Sequence, residues 1–266
     1  MEKVLLSVAP VAATDTHIDP KKIAEDVLEC EKAGAGMVHL HVRDLSGKLT
    51  PNLDVFKETV ERIREKSNIV IEASTGGVSN LSIQERCAPL YYDKVECASL
   101  NVGSVNLGKA VYQNPIDEVR YCVQEILKAG KTPEVEVFEI GMIHTTLQLC
   151  QEFAFKDPLL FSIVLGHEGA APATIEALIA LRSFIPSNMI WGITHSRRTN
   201  NDIFSAAIGM GAQTVRVGFE DSNYIDENRQ SDTNAPIVAH IFKLLESMGK
   251  APMTADEARN VFRIGR

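Results

Sequence analysis

Met37-Val38-His39-Leu40-His41-Val42-Arg43-Asp44 is the stretch on which the reading of this chain turns. Residues 37–42 are apolar or β-branched apart from two histidines two places apart, which is the composition of a strand. Side chains in a strand alternate faces, so His39 and His41 point the same way, one step apart. Two imidazoles so placed can grip one divalent metal, and a third protein ligand plus an open position is the pattern of a catalytic zinc. The alternative is a pair of histidines hydrogen-bonded inside a polar barrel mouth. Their company in the rest of the chain decides between the two.

Runs of the same kind recur at residues 4–9, 69–73, 94–98, 135–140, 160–165, 189–194 and 214–219, so eight strands are expected. Helix-forming stretches lie between them. The spacing predicts a helix over 20–33, with Asp19 as N-cap, Pro20 at the first helical position and Gly34 as the stop. Others are expected over 53–66, 115–129, 174–184, 201–210 and 236–248, with a weaker one over 81–88. There is no Pro/Ser-rich linker and no repeat. Eight alternations over the length of a barrel of about 250 residues predict an α/β chain folded as a single (β/α)8 TIM barrel, with 1–266 as one catalytic domain. An open doubly wound sheet competes, but the first strand runs into Pro10-Val11-Ala12-Ala13 and not into a G-x-G-x-x-G turn.

Composition narrows the partners. A formal net charge of −8 without a basic cluster argues against a general binder of nucleic acid or anionic membranes. No apolar run approaches the roughly 20 residues that span a bilayer, and the start, Met1-Glu2-Lys3-Val4-Leu5-Leu6, lacks signal-peptide anatomy. Five scattered cysteines without a C-x-x-C pair read as reduced thiols. Cys97 reads as a small buried hydrophobe, and Phe153-Ala154-Phe155 and Trp191 as core. The expectation is a cytoplasmic protein acting on small molecules.

Catalytic groups of such barrels sit at the C-terminal ends of the strands, and polar residues gather there. Strand two ends in His39, His41, Arg43 and Asp44, and strand three in Glu72 and Ser74-Thr75-Gly76-Gly77. Strand five contains Glu134, Glu136 and Glu139 and is followed by His144; strand six leads to His167 and Glu168, and strand seven to His195-Ser196-Arg197-Arg198. In strand eight, Arg216, Gly218 and Glu220 share one face while Val215, Val217 and Phe219 share the other, which turns Arg216 and Glu220 inward. Either these two form a structural ion pair, or Glu220 is the third metal ligand, since strands two and eight both flank strand one. Two imidazoles and one carboxylate would leave Zn²⁺ open to a substrate oxygen. Asp221 would then be the general base, with Arg216 fixing its orientation and lowering its pKa. Ser74, Thr75 and Gly76 offer hydroxyls and backbone N–H groups to a carboxylate or phosphate. Glu136 either orients a histidine ligand or pairs with a barrel arginine. His195, Arg197 and Arg198 either hold the phosphates of a bulky cosubstrate or form a solvated rim.

These motifs occur together and in order: His-Leu-His-Val-Arg-Asp at 39–44, Ser-Thr-Gly-Gly at 74–77, Ala-Ser-Leu-Asn-Val-Gly-Ser-Val-Asn at 98–106, Glu-Val-Glu-Val-Phe-Glu at 134–139, Pro-Ala-Thr at 172–174 and Arg-Val-Gly-Phe-Glu-Asp at 216–221. Over essentially its full length the chain resembles the β-keto acid cleavage enzymes, the group that includes 3-keto-5-aminohexanoate cleavage enzyme. The resemblance implies a Zn²⁺-dependent barrel, one ion per subunit, in a homo-oligomer, commonly a tetramer. It implies the reaction β-keto acid plus acetyl-CoA giving acetoacetate and a new acyl-CoA, by enolate formation, Claisen addition, CoA transfer and retro-Claisen cleavage. The family's zinc ligands fall on His39, His41 and Glu220, its base and supporting arginine on Asp221 and Arg216, its substrate-holding serine on Ser74 and a strand-four polar position on Asn101.

Two departures bear on the substrate. Aminohexanoate-specific members carry a first-loop glutamate where this chain has Ala12-Ala13-Thr14, so Thr14 stands at a substrate-binding position, with Asp15 next to it. The loops after strands six and seven also differ, and His167, Arg197 and Arg198 there point to a short β-keto acid with a polar or anionic tail. The rival reading is a metal-dependent amidohydrolase-type barrel, whose H-x-H strand works with histidines after strands five and six and an aspartate after strand eight. His144, His167 and Asp221 match that set superficially. In that fold the H-x-H belongs to strand one, whereas here residues 4–9 precede it.

Overall fold

The computed structural model describes residues 1–265, and it is a closed (β/α)8 barrel. The strands are β1 (Lys3–Val8), β2 (Met37–Leu40), β3 (Val70–Ala73) and β4 (Cys97–Asn101), then a hairpin of β5 (Val105–Leu107) and β6 (Ala110–Tyr112). The barrel continues with β7 (Thr132–Val137), β8 (Leu160–Leu165), β9 (Ile190–His195) and β10 (Thr214–Val217). Neighbouring barrel strands run parallel, and β10 pairs back onto β1, closing the ring. Around it lie α1 (Pro20–Lys32), α2 (Asp54–Arg64), the one-turn α3 (Ile83–Arg86), α4 (Ile116–Lys128), α5 (Ile140–Glu152), α6 (Ile175–Phe184), α7 (Asp202–Gly209), α8 (Ala235–Ser247) and α9 (Ala255–Val261). Among the described residues, no helix is long and apolar enough to cross a membrane.

Local chemistry accounts for the elements. Asp19 caps α1 by accepting from the Lys21 and Lys22 amides, and Gly34, at φ 115°, lets the chain leave the helix. Inside the barrel the period of two writes the layers. Leu5, Met37, Val70, Cys97, Leu160 and Ile190 form an apolar floor, covered from below by Met253, Ala255, Ala258 and Phe262. Two residues further along the same strands stand Ser7, His39, Glu72, Ser99 and Ser162, all buried and all polar. The lumen therefore changes from oily to polar in one step toward its C-terminal mouth.

Three sequence expectations need correction. The fourth strand is Cys97–Asn101, not 94–98, because residues 92–95 make a turn closed by Val95 N–H to Tyr92 C=O. The shift carries Asn101 onto the strand itself. The fifth strand is Thr132–Val137, not 135–140; Pro133 is tolerated near its start, where a missing donor costs little. Ile140 begins α5, a helix the pattern did not reveal because Gly141, Thr145 and Thr146 dilute its propensity. Glu139 is thus an exposed residue at the N-cap of α5, not a strand carboxylate. The eighth strand stops at Val217, where Gly218 takes φ 129°, so the alternation does not extend to Glu220.

Candidate metal centre and active site

The polar layer opens onto a cavity of about 680 Å³ at the C-terminal mouth, lined by His39, His41, Ser74, Glu136, Arg216, Glu220 and Asp221 among others. Strand β2 delivers His39, and His41 follows one step above it on the same face; their rings meet edge to face at 5.2 Å. Glu220 arrives from the far side through the Gly218 turn. A Cβ on Gly218 would lie 2.3 Å from the Ala9 carbonyl oxygen, so only glycine lets this turn settle against β1. Glu220 Oε1 lies 3.3 Å from His41 Nε2 and 3.9 Å from His39 Nε2, and ligand atoms of the three side chains all fall within 4.8 Å of one another.

Arg216 organises the carboxylates. Its Nε and Nη2 donate to the two oxygens of Asp221 at 3.0 and 2.8 Å, its Nη1 to Glu136 at 3.0 Å and its Nη2 to Glu220 at 3.3 Å. Burial opposes its charge, but Asp221, Glu220 and Glu136 together hold the guanidinium well above its ordinary range. Burial also opposes charge on Glu220, where His41, Arg216 and His39 outweigh it and hold the carboxyl well below the usual value. For His39 burial wins and favours the neutral imidazole, the form that ligates metals. Asp221 departs from the sequence expectation: burial raises its pKa more than Arg216 lowers it. One guanidinium thus faces three carboxylates in a nearly dry site. That excess of negative charge, with two imidazoles and a carboxylate converging, suits a divalent cation, and the donor set suits Zn²⁺.

The other expected residues divide. Ser74, Gly76, Gly77, His167 and Arg197 line the cavity. Thr75 is buried behind the wall, donating to the Ser99 carbonyl at 2.6 Å. Asn101 is buried beside Gly76, with neither amide atom hydrogen-bonded. Thr14 is exposed and does not line the cavity, whereas its neighbour Ala13 does. Glu136 takes the second of its two readings and pairs with Arg216. Arg198 is neither a rim residue nor a phosphate clamp: it is buried and braces the Asn201 side chain and the Tyr224 and Ile225 carbonyls. His195 is likewise buried, edge-on to Phe204. The group expected around a substrate tail is therefore reduced to His167 and Arg197, and burial lowers His167 to about 4, which keeps it neutral. Asp44 caps its own turn, accepting from the Ser46 and Lys48 amides.

Two participants went unassigned in the sequence. Glu72 accepts from His39 Nδ1 at 2.7 Å, and behind it stands Glu134. The signal was present as a carboxylate on the third strand, but only the register that sets His39 opposite Glu72 makes it legible. Tyr112 stands on the β5–β6 hairpin, a region given no element in the sequence, and nothing in its spacing marked it.

The sequence model of the family described as beta-keto acid cleavage enzyme matches residues 4–264. A 3-keto-5-aminohexanoate cleavage enzyme from Fusobacterium nucleatum subsp. nucleatum is 31% identical over 273 residues, covering 99% of each chain. A 3-dehydrocarnitine:acetyl-CoA trimethylamine transferase from Rhizobium meliloti is 29% identical over 292 residues, covering 98% of this chain and 97% of that one. Among solved structures, the apo structure of ObcA superposes with a TM-score of 0.78 at 21% identity, covering 94% of this chain. This chain spans 65% of the length of that one, and the likeness is one of fold.

Proposed function

The chain belongs to the β-keto acid cleavage enzyme family, and from that premise we propose that it is a Zn²⁺-dependent acyltransferase converting a β-keto acid and acetyl-CoA into acetoacetate and a new acyl-CoA. The observation that carries this reading is the convergence of His39, His41 and Glu220 within 4.8 Å, beside the Arg216–Asp221 pair. His39, His41 and Glu220 would hold one ion per subunit. When bound, the ion supplies a Lewis acid for the oxygen of the incoming keto acid.

The chain's own residues do the rest. Ser74 and the Gly76–Gly77 backbone offer neutral donors to the substrate carboxylate. Asp221 takes a proton from the carbon between the two carbonyl groups and returns one later in the cycle. A carboxylate lifted above its ordinary value by burial is better matched to that work than a fully solvated one. Arg216 holds both Asp221 oxygens, so the base cannot swing onto the metal ligands. Glu72 fixes the ring of His39 from behind. Acetyl-CoA is the cosubstrate, 1–266 acts as one catalytic domain, and the protein is a cytoplasmic homo-oligomer, a tetramer being favoured.

The amidohydrolase-type reading loses support from two placements. His144 is exposed on α5 and is not among the cavity-lining residues, and the H-x-H pair lies at the end of the second strand. The deciding experiment incubates zinc-loaded protein with acetyl-CoA and a panel of short β-keto acids, reading acetoacetate release. Silence across chemically diverse acids, or hydrolysis of amides without acetyl-CoA, would count against the assignment.

A further inference from the structure

Tyr112 is 4% exposed; the Gly77 backbone N–H faces its hydroxyl oxygen, and the phenol proton itself has no acceptor among the described residues. A buried hydroxyl proton without an acceptor costs stability, so its retention calls for a ligand. The oxygen points at Gly76: a Cβ built there would lie 2.0 Å from the Tyr112 hydroxyl and 2.9 Å from Asn101 Nδ2. Asn101 is also buried with both amide atoms unpaired. Two polar atoms, the Tyr112 hydroxyl and Asn101 Nδ2, therefore crowd Gly76, and Gly76 and Tyr112 both line the cavity.

This corner is rigid. Arg86 ties the loop after β3 to the end of the hairpin, donating to the Thr75 carbonyl at 2.8 Å and to Asn114 Oδ1 at 2.6 Å. Its guanidinium sits 5.8 Å from the centroid of the Tyr112 ring, and Phe138 meets that ring edge-on at 6.3 Å. The phenol is therefore held in place before any ligand arrives, which lowers the entropic cost of using it. The corner also lies next to the metal ligands: a Cβ on Gly77 would be 3.8 Å from the His41 ring. Gly76 and Tyr112 line the same cavity as His39, His41 and Glu220, so this corner is open to the carboxylate of a small acid whose keto oxygen faces those three. Burial pushes the phenol pKa up, so the group meets that anion as a proton donor.

We propose that the Tyr112 hydroxyl, suspended over Gly76 beside Asn101, donates a hydrogen bond to the carboxylate of the bound β-keto acid. The inference rests on the reaction assigned above and adds to it a binding residue supplied by the hairpin. It also accounts for the glycine at 76, since a Cβ there would lie 2.0 Å from the Tyr112 hydroxyl and push it away from the cavity.

The test titrates acetoacetate, itself a β-keto acid, into zinc-loaded wild type and Tyr112→Phe by calorimetry, with zinc content and thermal midpoint measured in parallel. The expected result is affinity weakened about tenfold or more, as for loss of a hydrogen bond to a charged group. Zinc content should stay unchanged, and the free protein should be as stable as wild type or more so. A hydroxyl with a merely structural role would give the reverse, a lower midpoint with affinity intact, and that outcome overturns the inference. Gly76→Ala carries the same test if Tyr112→Phe does not fold: lost binding supports the subsite and wild-type affinity rejects it. A wild type that binds no acetoacetate overturns the assigned reaction along with this inference, whereas normal wild-type binding matched by both variants overturns the inference alone.

Discussion

His39 Nδ1 lies 2.7 Å from Glu72 Oε2, directly across the β2–β3 register. The contact assigns the proton to Nδ1 and leaves the Nε2 lone pair facing Glu220, the orientation a metal ligand requires. Burial pushes Glu72 up to about 8 and raises Glu134 well above its ordinary value, so the two neighbouring carboxyls do not both carry charge at neutral pH. Replacing Glu72 by Leu keeps the volume and removes the acceptor. Zinc affinity is expected to fall about 10–100-fold, as for other groups that orient metal ligands, in competition against a chromogenic chelator. Unchanged affinity would place the control of His39 elsewhere.

Asp221→Asn separates metal binding from proton removal. The amide keeps the size of the side chain, and Asp221 contributes no ligand atom to the His39–His41–Glu220 group. Bound zinc should match wild type, while turnover falls about 10²–10⁴-fold. The direct readout is exchange of the β-keto acid's central C–H protons with D₂O, followed by NMR in the presence of enzyme without acetyl-CoA. Exchange at the wild-type rate would remove Asp221 from the role of base.

Arg216→Met leaves Glu136, Glu220 and Asp221 without their shared cation. Breaking a buried pair from one side costs about 3–5 kcal/mol, so the metal-free variant should unfold at markedly lower urea. Saturating zinc should restore part of the loss, because it replaces some of the missing positive charge. Arg216→Lys retains the charge but not the two-pronged grip on Asp221. It should be the more stable of the two and still poorly active. A lysine variant with wild-type turnover would show that orientation of Asp221 is not what Arg216 provides.

Acid should weaken the fold through His195. Burial, with Arg198 nearby, lowers this imidazole from 6.5 to about 4, so the folded chain binds fewer protons than the unfolded chain between those pH values. Stability therefore declines as pH drops from about 6.5 toward 4 and levels off below that window. Urea midpoints at pH 7 and pH 5 should differ less for His195→Asn than for wild type. Equal differences would mean that the imidazole titrates normally in the fold.

How far sequence reached can be seen residue by residue. The barrel was legible because alternation of eight strands with capped helices is written locally. His39 and His41 were legible because residue type and strand period together limit what such groups can do; Glu220 was picked by residue type and motif, while the period assigned to it ends at Val217 and the Gly218 turn brings it in. Glu72 was not, since its role depends on a cross-strand register that no local pattern encodes. Arg198 was misplaced for a related reason: a cation next to a strand end looks the same in sequence whether it faces the mouth or braces a loop. Thr14 lies exposed outside the cavity lining, because chain position relative to a motif does not fix where a loop residue points. The α5 helix was missed where two threonines and a glycine masked a buried face of Met142, Ile143 and Leu149.

The turn at Gly218 has a consequence for how such a protein can diversify. Because a single corner, seated against Ala9, presents Glu220 and Asp221 together, any disturbance of that corner moves both carboxylates as one body. Adaptation to a different acid is therefore expected on parts of the cavity wall off that corner, such as Leu107 on the hairpin. A drift toward new substrates should leave its record there first.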